Sequence, residues 1–174
     1  MTGRVEVRRI AVDDADALRS IRLAALLDAP SAFGSSHEAE VQQPPGFWTE
    51  RAHRAATSGG SAYWFGERGD ELVGLVGAFR PPDVAEDRVD LVSMWVAPDA
   101  RRAGTGRLLV EAVVDWGRAT GAEAIELWVT RGNVAAADLY RRCGFDETGD
   151  VAPLPSDPCR DEVRMRRSLR RSIG

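Results

Sequence analysis

A loop rich in arginine and glycine, residues 101–106, follows an apolar segment that ends at Val96. Gly104 and Gly106 stand where an amphipathic helix is predicted to begin, and a helix start presents unpaired N–H groups and the positive end of the helix dipole. Because glycine has no Cβ, an anion can come close to this backbone, and Arg101 adds positive charge beside it. These features are typical of a diphosphate-binding site. A loop that only turns a strand into a helix would use the same residues.

The residue types that are missing exclude several kinds of chemistry. The 174 residues include 23 arginines and no lysine, so there is no P-loop lysine and no Schiff-base lysine. The two histidines and two cysteines do not have the spacing of a metal site, and we expect no metal. A formal charge of −4 argues against nucleic acid as the main partner. No apolar run approaches the roughly 18 residues of a membrane span, so we expect a cytoplasmic protein that does not associate with membranes.

Apolar periodicity and capping residues predict one mixed sheet with helices packed on it, an α/β (α+β) fold in a single domain over residues 1–174. Strands are expected at residues 5–12, 61–67, 72–79, 88–96, 124–129 and 161–169, with another that starts near Phe145. Helices are expected from Asp14 to about residue 28, and at about 46–57, 104–120 and 133–143, with a short helix capped by Ser35 and Glu38.

The predicted helix at about 104–120 has a polar and an apolar side. One polar stripe consists of Arg107, Glu111, Asp115 and Arg118. We expect the following residues to face inward: Leu108, Leu109, Ala112, Val113 and Trp116.

Two segments together resemble signatures of the GNAT superfamily of N-acetyltransferases. Arg101-x-x-Gly104-x-Gly106 matches the Arg/Gln-x-x-Gly-x-Gly/Ala core of its acyl-CoA-binding motif, and Asn133-x-x-Ala-x-x-x-Tyr140 matches its second signature. Their order and separation also match, and the likeness covers roughly residues 5–169. It implies a mostly antiparallel mixed sheet with splayed central strands and flanking helices. It also implies an acetyl-CoA-dependent N-acetyltransferase that moves an acetyl group to a primary amine.

The resemblance assigns the co-substrate acetyl-CoA to the two central strands, residues 88–96 and 124–129. The pantetheine arm is expected between them, with the diphosphate on the amides of residues 102–107 and one strand N–H donating to the thioester carbonyl. The expected binding residues are Met94, Trp95, Val96, Arg101, Arg102, Ala103, Gly104, Thr105, Gly106, Arg107 and Asn133.

Asn133 and Tyr140 are seven residues apart, which is about two helical turns, so both side chains leave the same face. In the family such a tyrosine protonates the departing thiolate, and a phenol with a pKa of about 10 is a suitable acid for it. The structural alternatives stay open: Asn133 as a helix N-cap and Tyr140 as a core residue.

The general base and the acceptor site are less defined. Asp90 and Glu126 are the candidate bases, either directly or through water, and each is also consistent with an ordinary strand carboxylate. Acceptor recognition in the family falls to the regions that here are residues 31–48 and 150–161. The candidates in the first region are Phe33, Glu38 and Trp48, which are equally consistent with core aromatics and a solvated carboxylate.

The expected partners are acetyl-CoA and an amine acceptor, and homodimers are common in the family. Two other functions stay open. A protein of this fold can bind coenzyme A without acetylating anything, and a thiol-release assay separates that case from an enzyme. A nucleic-acid-associated factor would show salt-dependent binding to DNA or RNA.

Overall fold

The computed structural model describes residues 3–82 and 87–170 and places seven strands in one sheet. Residues 1–2, 83–86 and 171–174 of the predicted domain lie outside this described part. The sheet has the order β1-β2-β3-β4-β5-β7-β6. The strands are β1 (Glu6–Arg9), β2 (Ser61–Arg68), β3 (Glu71–Phe79), β4 (Arg88–Val96), β5 (Ala124–Thr130), β6 (Asp146–Leu154) and β7 (Asp157–Ser168).

Five α-helices cover the two faces of the sheet in the described residues. They are α1 (Ala15–Asp28), α2 (His37–Val41), α3 (Pro45–Thr57), α4 (Thr105–Ala119) and α5 (Val134–Arg142), with 3-10 turns at Pro30–Ala32 and Pro98–Ala100. Side chains alternate between the faces along each strand. Tyr63 and Phe65 therefore pack with α1 and α3 on one face, while Trp64 and Val76 pack with α4 and α5 on the other.

The sheet is mixed and mostly antiparallel, as the sequence predicts. In the described part of the chain only β4 and β5 pair in parallel, and every other neighbouring pair of strands is antiparallel. The parallel pair has three rungs, the last of which joins Asp90 to Glu126. Beyond that rung β4 and β5 separate, which confirms the expected splay of the central strands.

The buried side of α4 differs from the prediction. Leu108 is 47 % exposed, whereas Val110 and Val114 are fully buried beside Leu109 and Val113. Gly117 explains the shift, because a Cβ there would lie 2.6 Å from Cδ1 of Ile125. The helix therefore approaches the sheet along its glycine side, which turns Leu108 toward solvent.

Three local boundaries also differ from the expectations. Ser36, not Ser35, caps α2 through a hydrogen bond from the Ala39 amide. Strand β1 ends at Arg9, because the next turn is closed by the Asp14 carboxylate, which accepts from the Ala11 amide at 2.7 Å. Strand β7 begins four residues earlier than predicted, at Asp157, since a tight turn joins it directly to the edge strand β6.

No helix in residues 3–82 and 87–170 combines the length and apolar character that crossing a membrane requires.

Candidate active site between strands β4 and β5

The gap between β4 and β5 is produced by the end of their pairing together with a bulge in β4. The pairing of β4 with β3 shifts register between Leu75 and Gly77, and Ser93 on β4 has a φ of 56°. Bulges of this kind bend a strand and re-aim its side chains. On the β5 side, residues 91–96 have no strand partner among the described residues. An extended ligand could therefore hydrogen-bond to β4 as an added strand, and the predicted residues Met94, Trp95 and Val96 lie here.

The loop between β4 and α4 presents backbone amides without intramolecular acceptors. Arg102 has a φ of 63° and Gly104 a φ of 86°, so two residues of the turn adopt the left-handed conformation. In the described part of the chain, the amides of residues 102–107 make no hydrogen bond of good geometry to other protein groups. Such a run of free N–H groups at a helix start forms an anion-binding concavity.

A diphosphate fits this loop, since the space beside it is open. A Cβ built on Gly104 meets no atom within 4 Å. Arg102, Ala103 and Arg107 are exposed on the same turn. The Thr105 hydroxyl is not available to a ligand, because it is buried and donates to the Ala100 carbonyl at 3.1 Å.

Gly106 lies at a close contact between α4, α5 and β4. A Cβ at this position would lie 2.9 Å from Cδ2 of Leu139 on α5 and 3.4 Å from Cε of Met94. The missing side chain therefore lets the start of α4 lie close to both α5 and β4. The two helices that carry the family signatures meet at this contact.

Asp28, at the end of α1, binds two of the predicted cofactor residues. Its carboxylate accepts from the Trp95 indole Nε1 at 2.9 Å and also from the Arg101 guanidinium. The Arg101 Nε donates to the Val96 carbonyl at 2.9 Å. The Trp95 hydrogen bond and the charge of Arg101 outweigh burial and hold the pKa of the Asp28 carboxyl below its usual value. Sequence reasoning missed Asp28, which is 67 and 73 residues away from its partners and matches no motif.

Asn133 and Tyr140 occupy the two ends of α5. The Asn133 side chain accepts a hydrogen bond from the Ala136 amide at 3.3 Å, so Asn133 is the N-cap of α5. Tyr140 is 6 % exposed and belongs to the core cluster that also includes Val129 and reaches Met94. Its hydroxyl has no hydrogen-bond partner among the described residues, and burial, with a smaller effect of Cys143, raises the pKa of the phenol well above its usual value.

The two candidate bases have different surroundings. Glu126 is 5 % exposed, and its carboxylate pairs with Arg166 at 2.6 Å, Arg88 at 3.3 Å and Arg164 at 3.6 Å. Asp90 is half-buried and pairs with Arg88 at 3.1 Å. Burial raises the pKa of the Asp90 carboxyl above its usual value, although the Arg88 charge opposes the rise.

The three candidate acceptor residues do not form one wall. Phe33 is buried under the Arg22 guanidinium, which lies 4.8 Å from the ring centre. Trp48 is fully buried between α3 and the sheet, whereas Glu38 is exposed. A cleft of about 400 Å³ does open near Asn133, between the end of α1 and the β5–α5 loop. It is lined by Asp28, residues 29–32, residues 130–133 and Arg160.

Comparisons with known proteins agree with this geometry. The model of the acetyltransferase (GNAT) family matches residues 23–145. The chain is similar to a [ribosomal protein bS18]-alanine N-acetyltransferase of Salmonella typhimurium, with 32 % identity over 112 residues, 59 % of this chain and 74 % of that protein. It is 33 % identical over 92 residues, 52 % of this chain, to human N-acetyltransferase 8, but the match spans only 40 % of that relative's length.

Solved structures share the fold over nearly the whole chain. The structure of yncA from Salmonella typhimurium with its cofactor acetyl-CoA superposes with a TM-score of 0.78 at 18 % identity, covering 98 % of this chain and 97 % of that one. A ribosomal-protein-alanine N-acetyltransferase from Brucella melitensis gives a TM-score of 0.72 at 25 % identity, covering 94 % and 99 %. Since the splayed strands, the open helix start and the family model coincide on the same residues, the chain belongs to the acetyltransferase (GNAT) family.

Proposed function

We propose that the chain is an acetyl-CoA-dependent N-acetyltransferase in which a primary amine attacks the thioester directly, with no covalent acyl-enzyme. The observation that carries the proposal is the gap beyond the Asp90–Glu126 rung, which ends beside the free amides of residues 102–107. An extended ligand could therefore bind the exposed backbone of β4 and place its anionic group on the neighbouring amides. The named N-acetyltransferase relatives support acyl transfer as the activity.

The chain's backbone holds acetyl-CoA in this proposal. The amides of residues 102–107 bind the diphosphate, and Arg101 adds charge beside it. Residues 94–96 of β4 bind the pantetheine arm, and one of their N–H groups donates to the thioester oxygen as negative charge develops there. Asn133, which caps α5, contacts the pantetheine arm in this proposal. Bound acetyl-CoA supplies the activated acyl group.

Tyr140 and Asp90 move the protons. Burial raises the pKa of the Tyr140 phenol, which keeps it protonated but makes it a weaker acid, and it gives this proton to the sulfur as the thiolate forms next to it. The raised pKa of Asp90 makes it a stronger base than an ordinary aspartate, and it accepts a proton through water from the ammonium group of the acceptor. Glu126 is bound by three arginines, and we assign it to holding this part of the sheet rather than to proton transfer.

A thiol-release assay tests the proposal. The purified chain is incubated with acetyl-CoA and a panel of primary amines that includes a peptide with an N-terminal alanine, because one relative is named for that acceptor. Amine-dependent thiol release with an N-acetylated product in mass spectrometry supports the proposal. Calorimetric binding of acetyl-CoA with no thiol release for any amine identifies a silent coenzyme A-binding module instead, and no binding at all contradicts the site itself.

A further inference from the structure

A series of hydrogen-bonded polar side chains extends from the bulge of β4 into the layer between the sheet and helices α1–α3. The Ser93 hydroxyl lies 3.4 Å from the Tyr63 hydroxyl, and Tyr63 accepts from Nη2 of Arg51 at 3.1 Å. Arg51 also pairs with Glu40 at 3.4 Å, and the buried Arg22 pairs with the other Glu40 oxygen at 2.7 Å. The proton-transfer scheme above uses none of these groups.

The sheet is built to let Tyr63 reach Ser93. Tyr63 on β2 stands directly opposite Gly77 on β3, and a Cβ on Gly77 would lie 2.5 Å from Cζ of the Tyr63 ring. The ring therefore lies across the β3 backbone, and its hydroxyl arrives at β4. A side chain at position 77 would block this path.

Arg51 fixes one direction in this series of hydrogen bonds. A guanidinium only donates, so the Arg51 N–H points at the Tyr63 oxygen, and the phenol proton is then available to Ser93 Oγ in a contact where either hydroxyl can donate. Burial raises the pKa of the Tyr63 phenol, but the charge of Arg51 and the contact with Ser93 outweigh it, and the pKa lies below its usual value. A more acidic phenol is a stronger donor to Ser93.

The Ser93 hydroxyl lies on the α1–α3 side of β4, where it meets Tyr63. Val92 and Trp95 pack with the α1–α3 layer, as Tyr63 does, whereas Met94 and Val96 pack toward α4. Ser93 is partly exposed and directly precedes the residues proposed to bind the thioester. Its φ of 56° is uncommon for a residue other than glycine, and such strain concentrates at functional sites.

We propose that Ser93 binds the attacking amine of the acceptor and that Tyr63 is the positioning residue that orients the Ser93 hydroxyl; the inference rests on the proposed acetyl transfer. An N–H of the amine donates to Ser93 Oγ, which leaves the nitrogen lone pair facing the thioester carbon. The C–N bond forms and the C–S bond breaks. Asp90 has by then taken the first ammonium proton through water and passed it to solvent. Tyr140 protonates the sulfur, and the second proton of the attacking nitrogen returns through water to the Tyr140 oxygen. Ser93 neither gains nor loses a proton.

Replacing Ser93 by glycine separates this role from a structural one. Glycine adopts a positive φ without strain, so Ser93→Gly keeps the bulge and removes only the hydroxyl. We expect kcat/KM for the amine to fall about 10- to 100-fold, the size of a lost hydrogen bond to a nitrogen that gains positive charge as it attacks. The affinity for acetyl-CoA, measured by calorimetry, and the melting temperature stay at wild-type values or better.

The substrate in this test is an amine of the panel that the wild type acetylates. Two further variants and a control complete it. Ser93→Asn tolerates a positive φ and keeps a hydrogen-bonding oxygen, so it should recover part of the activity. Tyr63→Phe keeps the ring over Gly77 and should raise KM for the amine more than KM for acetyl-CoA. The matched control is Ser61→Ala on β2, which should match the wild type.

Each outcome decides between the two proposals. Ser93→Gly with wild-type kcat and KM, in an active protein, overturns this inference and leaves the acetyltransferase proposal intact. A wild-type chain that binds acetyl-CoA and acetylates no amine of the panel overturns both.

Discussion

Asp90 and Glu126 lie directly opposite each other on the last rung between β4 and β5, and Arg88 binds both of them. Two carboxylates side by side repel, so the rung depends on positive charge around it. Glu126 takes most of that charge, because Arg164 and Arg166 from β7 pair with it as well. Asp90 pairs with Arg88, and burial raises the pKa of its carboxyl above the usual value. The two carboxylates thus divide into a structural anchor and a candidate base.

Asp90→Asn should remove the acid limb of the pH–activity profile. A base works only when deprotonated, so wild-type kcat/KM for the amine rises with pH through the pKa of Asp90, which lies above the usual value for an aspartate. The variant should lose about 10²-fold or more in kcat and show no rise over that pH range. The control Asp115→Asn, on the exposed side of α4, should keep the wild-type profile. An unchanged acid limb in Asp90→Asn would exclude Asp90 as the base.

Glu126→Gln should act on stability. The neutral amide removes the negative charge that three arginines share. Removing one partner of a buried ion pair lowers the free energy of unfolding, because the other partner stays charged and unpaired. Because the arginines are partly exposed, we expect a loss of about 1–3 kcal/mol in the free energy of unfolding, measured with denaturant. Glu123→Gln, which breaks an exposed pair with Arg170, should cost about 0–1 kcal/mol. Equal costs for the two variants would contradict the anchoring role.

The order of elements and the position of the glycine-containing loop before α4 follow from the sequence, because both depend on local signals. Alternating apolar runs give the strands, and Gly104 and Gly106 mark the helix start. The sequence-based predictions were wrong where a tertiary contact overrides the local pattern. Leu108 is as apolar as Leu109, and only the close approach of Gly117 to Ile125 decides which of them is buried.

Contacts between distant segments were beyond sequence reasoning. Asp28 binds Trp95 and Arg101 only because the end of α1 reaches the end of β4 in the folded chain. The line from Tyr63 over Gly77 to Ser93 crosses three strands whose register no local pattern specifies. A motif could name Asp90 and Glu126 as candidates, but it could not show that three arginines surround one of them.

Arg101→Glu should weaken acetyl-CoA binding with little change in kcat. The variant places a negative charge where the diphosphate is proposed to bind, and it also repels Asp28, so the apparent KM for acetyl-CoA should rise about 10-fold or more. The comparison is Arg118→Glu, the same change at the far end of α4. If both variants bind acetyl-CoA equally well in calorimetry, Arg101 is not part of the diphosphate site.

Gly106→Ala should destabilise the contact between α4 and α5. The added methyl group meets Leu139 at 2.9 Å, and overpacking of this kind costs about 1–3 kcal/mol. Leu139→Ala in the same chain makes room, so the double variant should lose less than the sum of the two single changes. Gly46→Ala, where a Cβ meets nothing within 4 Å, serves as the control and should be neutral or slightly stabilising. Additive losses would show that the two positions do not share this contact.

Tyr140→Phe should separate catalysis from folding more cleanly than any other single change. The hydroxyl has no hydrogen-bond partner in the described part of the chain, so its removal breaks no native bond and the melting temperature should hold or rise. As the proposed sole acid for the thiolate, it should cost about 10²–10⁴-fold in kcat, with acetyl-CoA affinity unchanged. The measurement needs a chemical step that limits the rate, which a pre-steady-state burst experiment establishes. Near-wild-type kcat under that condition would show that Tyr140 is a core residue, which packs edge-on against Phe145, and not the acid.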